Sequence, residues 1–306
     1  MPESSPSSQD FLAFARLIAQ DAGRGVMLPV IEKELLHFEI INALDEAGLL
    51  KHLTFQGGTC LRLCYGAERA SEDLDFCGGF DFDPSLLQGL GERLKRAITC
   101  AYRVDVEIGE PKPVHLDSSG EYDADAILVH TWQIKVVTAQ ERPDIPKQRI
   151  NIEIAAVPAH TKQIRALELR YPNLPPSFGD ILVYCESLEE IAADKLKAFI
   201  TASNIRYRDI WDLRWIARQP GFDKSQLDSL LAKKLADYHA HDVFHAKLPE
   251  LLAALPDITK SAEFLLQMRR FLPAPVLERT IQQPEFQQHI VDEIIGLYRS
   301  AQVLEC

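Results

Sequence analysis

The sequence has no stretch of about 20 apolar residues, the length a membrane-crossing helix needs. Its opening, Met-Pro-Glu-Ser-Ser-Pro-Ser-Ser-Gln-Asp, lacks a basic segment followed by an apolar run. We therefore expect a cytoplasmic protein with no signal peptide and no membrane span. Cys60, Cys64, Cys77, Cys100, Cys185 and Cys306 show no C-x-x-C spacing. Several fall on apolar faces, as reduced core cysteines do, so neither disulfides nor zinc is implied. Basic side chains are scarce: 33 Lys+Arg stand against 45 Asp+Glu, for a formal net charge of −12. That balance opposes non-specific adhesion to nucleic acid, and a nucleic-acid substrate would need a local basic surface. No internal repeat is evident. What remains is an ordinary globular composition, 46% hydrophobic and 25% charged over 306 residues, enough for two domains.

The chain is organised around the stretch from Phe55 to Phe76. Leu53, Thr54 and Phe55 read as a strand end, Gly57 and Gly58 as a turn that brings backbone close to something, and Thr59 as the N-cap of a short helix. Bare N–H groups at such a helix start favour an anion. Beyond Arg69 and Ser71 comes Asp73-Leu-Asp75, where side chains two apart on a strand share one face. Like charges held that close need a cation between them. Hard carboxylate oxygens in this arrangement suit Mg²⁺, or Mn²⁺, carrying a nucleotide's phosphates. A phosphate-cradling turn with a metal-binding acid pair is the minimal equipment for nucleotidyl transfer.

Upstream, Phe11 to Ile18 and Leu36 to Ala47 repeat at helical spacing and read as a structural brace. Asp83-Pro84 reads as an N-cap and first helical position, followed by the stripe Leu86, Leu87, Leu90, Leu94 and Ile98. Strands are expected over Arg103 to Ile108, His130 to Thr138 and Arg149 to Val157. In the last, Ile150, Ile152 and Ile154 alternate with Asn151 and Glu153. Glu153 is a candidate third carboxylate or a solvent-facing acid, whereas Asp105 and Glu107 read as solvent-facing. Prolines after Arg170 interrupt any element, which puts the domain boundary near them. Ser187-Leu-Glu-Glu190 reads as a capping box. In the helix it opens, Lys195 falls inside the apolar sector while Glu190 and Lys197 fall outside. The next helix aims Asp209 inward, with Asp212 at the sector's edge. A buried ion pair would explain both, but such pairs are weak evidence for stability, and a functional site is the preferred reading. Lys195, Lys197, Arg206, Arg208, Arg214 and Arg218 make this region locally basic, a place for an RNA backbone. His239-x-His241-x-x-x-His245 resembles a ligand set but lacks cysteines or a clear carboxylate partner.

The pattern Gly-Gly-Thr…Arg-x-Ser-x-Asp-Leu-Asp-Phe resembles the first motif of the AbiEii/AbiGii toxin family of the nucleotidyltransferase superfamily. Elsewhere in that superfamily a Gly-Ser pair precedes the acids by a shorter spacer; here Thr59 replaces the serine. Asp194-Lys-Leu-Lys-Ala198 and Arg208-Asp-Ile-Trp-Asp-Leu213 are similar to the family's downstream motifs, so three motifs occur in order. The resemblance implies that Asp73, Asp75 and Glu153 hold metal, and that Gly57, Gly58, Thr59, Arg69 and Ser71 position phosphates. Lys195 would contact the triphosphate, and Asp209 would complete the pocket or position the acceptor. It further implies an RNA acceptor, tRNA foremost, and a toxin with a cognate antitoxin.

The expected architecture is α/β: a nucleotidyltransferase-like mixed sheet with flanking helices over residues 1–175, then an all-helical C-terminal domain over 176–306. The acids and the inward lysine are expected to converge on one Mg²⁺-nucleotide in a cleft. Two alternatives stay open. One is a catalytically silent nucleotide- or partner-binding module, against which the completeness of the acids, glycines and lysine speaks. The other is nucleotidyl transfer to a small molecule or a protein, which only the acceptor would distinguish.

Overall fold

The structure, a computed structural model, describes residues 8–21, 27–109, 111–116, 127–138, 146–171 and 174–303. The chain forms two compact units. The first comprises Met1–Pro113, His130–Ala156 and Ile164–Cys185; the second comprises Val114–Val129, Val157–Gln163 and Glu186–Cys306.

Among the described residues an eight-stranded mixed sheet lies largely in the first unit. Its strands are β1 (Thr54–Gln56), β2 (Leu74–Cys77), β3 (Asp105–Ile108), β4 (Lys112–Leu116), β5 (Ile127–Val137), β6 (Gln148–Ala155), β7 (Gln163–Ala166) and β8 (Leu182–Cys185). They lie in the order β3-β5-β6-β2-β1-β8-β7, with β4 beside β5. β2 runs parallel to β6 and antiparallel to β1, and β1 runs parallel to β8. Leu74 pairs with Ile152 and Phe76 with Ile154, and all four side chains are buried. Strand alternation then puts Asp75, Asn151 and Glu153 on the opposite face. Burying the isoleucines therefore decides where the acids point.

Among the described residues this unit holds the α-helices α1 (Ser8–Asp21), α2 (Leu28–Glu46), α3 (Gly57–Cys64) and α4 (Leu90–Tyr102). Pro29 sits in the first turn of α2, where its missing N–H costs nothing. The helix expected from Asp83 starts later. The Asp83 carboxylate accepts from the Ser85 amide at 2.9 Å, but it caps only a short turn over Pro84–Leu87. Gly89 then adopts φ 74 and α4 opens at Leu90. This left-handed residue resets the helical phase, so Leu86 is 39% exposed while Leu87, Leu90, Leu94 and Ile98 stay buried.

The second unit is helical from Leu188 onward, with α5 (Leu188–Thr201), α6 (Tyr207–Ala217), α7 (Leu227–Asp237), α8 (His241–Lys260), α9 (Ala262–Arg269), α10 (Ala274–Arg279) and α11 (Pro284–Ser300). α5 packs against α6, α7 and α8, and Tyr298 of α11 donates to the Leu196 carbonyl at 2.9 Å. Only half of the expected capping box forms. The Ser187 hydroxyl accepts from the Glu190 amide at 3.3 Å, but the Glu190 carboxylate accepts from the His160 and Thr161 amides at 2.8 and 2.6 Å. Its reach toward its own helix start is replaced by one toward the segment 157–163.

Glu190 and Lys197, expected on the exposed side of α5, are buried. A helical wheel assumes one covered face, and α5 is covered on several. Lys234, also fully buried, answers these acids: its Nζ lies 2.7 Å from Glu186, 2.7 Å from Glu190 and 2.9 Å from Asp194. Burial, then the Asp194 charge, pushes Glu186 well above the usual carboxylate range. Burial pushes Asp194 up too, but Lys234 and Lys197 outweigh it and hold it low. Lys197 lies over the Tyr238 ring, 2.8 Å from its centroid, and burial lowers it to about 8 against a partial counter-pull from Asp194.

A lysine with a depressed folded pKa opposes folding at low pH, because the buried ammonium must be charged there. That penalty fades as pH rises from about 8 to the unfolded value of 10.5. Relative to Lys197→Met, the wild-type chain should gain up to about 3 kcal/mol across that window, measured by urea unfolding at stepped pH. Parallel pH profiles for the two proteins would contradict the assignment.

Candidate active site

The acid face is assembled from β2, β6 and the turn into α3. Asp75 sits opposite Gln56 on β1 and opposite Glu153 on β6. Adjacent strands lie about 4.8 Å apart, so Asp75 and Glu153 are immediate neighbours on one face. Asp73, two residues earlier, accepts from the Asn151 amide through Oδ1 at 2.9 Å. Among the described residues the carboxylate oxygens of all three acids do not gather within 4.8 Å of one another. Asp75 and Glu153 are the pair that register brings together, with Asp73 turned toward β6.

The turn presses on this face. Gly57 has φ 75, and a Cβ there would stand 2.6 Å from Asp75 Oδ2. A Cβ on Gly58 would stand 2.4 Å from Arg69 Nη2 and 2.9 Å from Ser71 Oγ. Only glycine lets the backbone come so close to a carboxylate, a guanidinium and a hydroxyl. Thr59 does not cap α3. The helix begins at Gly57 with Gln56 before it and no side-chain cap bond, and the buried Thr59 hydroxyl donates to the Asp73 carbonyl. That bond ties the helix to the chain entering β2. The first-turn amides carry no side-chain cap, which leaves a setting that favours an anion.

A brace invisible in the motif holds the loop from Tyr65 to Glu72. The buried Arg62 guanidinium pairs with Glu34 of α2 and donates to the Ala67 and Glu68 carbonyls at 2.9 and 3.2 Å. The Tyr171 hydroxyl donates to the same Glu34 carboxylate. Burial would push Glu34 up, but Arg62, then Tyr171, outweighs it and holds the carboxyl low. Lys33 pairs with the Glu72 carboxylate at 2.9 Å, and His37 Nε2 donates to the Glu72 carbonyl at 3.0 Å. Burial pushes the His37 imidazole below its ordinary range, against the Glu72 carbonyl and the Glu34 charge. The sequence trace of this brace is faint: Lys33, Glu34 and His37 stand among other polar residues of α2, such as Glu32 and Glu39.

In the second unit, Lys195 Nζ lies 2.7 Å from Asp209 Oδ1 and 2.7 Å from Asp212 Oδ2, and all three side chains are buried. Arg206 pairs with the other Asp209 oxygen. Burial would push Asp209 up; Arg206, then Lys195, outweighs it and holds the carboxyl well below the usual range. The inward lysine and aspartate thus meet as the buried ion pair weighed above. Beside them a cavity of about 640 Å³ is lined by Ala202 to Asp209 and Gln267. The expected basic surface is largely neutralised: Lys195 and Lys197 are buried, and Arg214 and Arg218 reach Glu293 at 3.5 and 3.1 Å. Arg206 and Arg208 line the cavity. His239, His241 and His245 do not gather at ligand spacing among the described residues.

Gly57→Ala places a methyl against Asp75 and strains a left-handed residue by about 1–2 kcal/mol. Displacing the acid by even 1 Å should lower turnover by about 100-fold while the chain stays folded by circular dichroism. Unchanged nucleotidyl transfer by this variant would show that the close approach has no role.

The family model for "Nucleotidyl transferase AbiEii toxin, Type IV TA system" matches residues 39–292, a span that includes the turn, the acids, α5 and α6. Two crystal structures from Helicobacter pylori are similar at low identity. JHP933 is 20% identical, with 90% of each chain covered and a TM-score of 0.41. A protein described as "putative nucleotidyltransferase from H. pylori" is 19% identical, with 90% of this chain and 98% of that chain covered and a TM-score of 0.47. Among curated proteins there is no match. With most of its length matched by that family model, the chain belongs to the AbiEii nucleotidyl transferase toxin family of type IV toxin–antitoxin systems.

Proposed function

We propose that the chain moves a nucleoside monophosphate from an NTP to an RNA acceptor, tRNA foremost, as the toxin of a toxin–antitoxin pair. The observation that carries this reading is the register pairing of Asp75 with Glu153 beside the Gly57 backbone. An acid pair on one sheet face and a backbone turn without side-chain caps are thereby adjacent. The acceptor hydroxyl attacks the α-phosphorus, the bond to pyrophosphate breaks, and pyrophosphate leaves. Charge builds on the phosphate oxygens as this happens, so the chain's task is positioning and neutralisation.

The donor chemistry fits a hard divalent cation, because carboxylate oxygens from neighbouring strands share a face. Asp75 and Glu153, with Asp73 beside them, would hold Mg²⁺ or Mn²⁺. The ion would supply charge neutralisation on the phosphates. Arg69, pressed against Gly58, offers a guanidinium for a phosphate, and Ser71 offers a hydroxyl. The Thr59 hydroxyl is committed to the Asp73 carbonyl, so its share in phosphate binding falls to its backbone amide. Glu153 either helps hold the metal or takes the acceptor's proton on a carboxylate oxygen. The parts of Lys195 and Asp209 rest on the family resemblance. A cognate antitoxin as partner follows from the family.

Incubating the chain with labelled NTP, Mg²⁺ and total RNA should label a discrete RNA species. Asp75→Asn and Glu153→Gln should each lower the rate by about 100- to 1,000-fold, and a chelator should abolish it. Equal labelling by wild type and Asp75→Asn would end the reading. Label that appears on protein or a small molecule would move the acceptor and leave the chemistry in place.

A further inference from the structure

Cys60 and Cys64 stand one turn apart on α3, and Cys185 ends β8. Phe55 of β1, the strand that feeds α3, pairs with Cys185, which brings that residue beneath the helix. The three Sγ atoms all lie within 4.8 Å of one another. All three residues are free cysteines and buried, whereas Cys100 is exposed. The gathering is invisible as a C-x-x-C pattern because one helical turn supplies two sulfurs and a strand far along the chain supplies the third.

We propose that Cys60, Cys64 and Cys185 form a three-sulfur site for a soft monovalent cation, Cu(I). Thiolate sets select Cu(I) and zinc over hard cations. Structural zinc takes four ligands, and among the described residues no histidine, aspartate or glutamate joins the sulfur trio. Three-coordinate binding among buried sulfurs suits Cu(I). The stoichiometry is simple: three thiols and one Cu(I) give the trithiolate complex and release three protons to solvent, with no change of oxidation state. The complex carries two negative charges. Arg165 stands close by to offset one of them, with its guanidinium 3.8 Å from the Tyr65 ring centroid and donating to the Cys64 carbonyl at 3.4 Å.

Occupancy would tie α3 to β8 at the residue directly after Thr59, behind the glycine turn. The site stands on sulfur geometry and is independent of the reaction proposed above.

The test is an anaerobic titration of the reduced full-length chain against a chromogenic Cu(I) chelator. The wild-type chain should withdraw one Cu(I), and X-ray absorption should count three sulfur neighbours around it. Loss of a ligand should cost more than the roughly 10- to 100-fold that loss of a supporting hydrogen bond costs. Cys60→Ser, Cys64→Ser and Cys185→Ser should therefore each weaken binding more than about 100-fold, and Cys100→Ser should leave it unchanged. No withdrawal of Cu(I), two sulfur neighbours in place of three, or equal binding by Cys185→Ser would overturn the proposal. So would preferential four-coordinate binding of Zn²⁺. The absorption measurement uses the unaltered protein, so a variant that fails to fold does not decide the outcome.

Discussion

The close approach of backbone to side chain at Gly57 and Gly58 is the constraint on which the candidate site depends. Two residues without Cβ atoms let the start of α3 lie against Asp75, Arg69 and Ser71 at distances no other residue type would permit. This contact couples the turn to the acid face. The Thr59 hydroxyl adds a second tie to the chain just before β2. Helix start, acids and the Arg69 guanidinium are thereby positioned as one piece, which is what a reaction catalysed by positioning and charge neutralisation demands.

The supporting structure is ionic as well as apolar. Arg62 is buried with Glu34 and spends its remaining donors on the loop that carries Arg69 and Ser71. Breaking such a pair strands a buried charge, a cost of about 3–5 kcal/mol. The first unit therefore places a buried ion pair directly under the loop that carries Arg69 and Ser71. In the second unit the buried lysines Lys195 and Lys234 are each surrounded by carboxylates, so the helices around α5 are joined through charge as well as through leucine.

Local signals were legible in the sequence and long-range ones were not. The glycine turn, the alternation of Asp73 with Asp75 and that of the isoleucines with Glu153 depend on neighbours within a few residues, whereas the mixed sheet is expected from the family resemblance. That Asp75 faces Glu153 depends on strand register across the sheet. The Tyr171 to Glu34 bond spans 137 residues, and no periodicity announces it. Threonine before a helix commonly caps, which is the local basis for expecting Thr59 to cap α3. Its hydroxyl instead serves a carbonyl 14 residues on. A helical wheel has one apolar sector and leaves Lys197 outside it, whereas α5 packs against three helices. The inward directions of Lys195 and Asp209 were legible, and the partner each would find was the open part.

The most direct measurement is anomalous scattering from Mn²⁺ in crystals of the chain grown with a non-hydrolysable NTP. The account predicts a peak against the Asp75 and Glu153 carboxylates, with phosphate density at the amides of Gly57, Gly58 and Thr59. A nucleotide bound in the same crystals with its metal away from both carboxylates would contradict it.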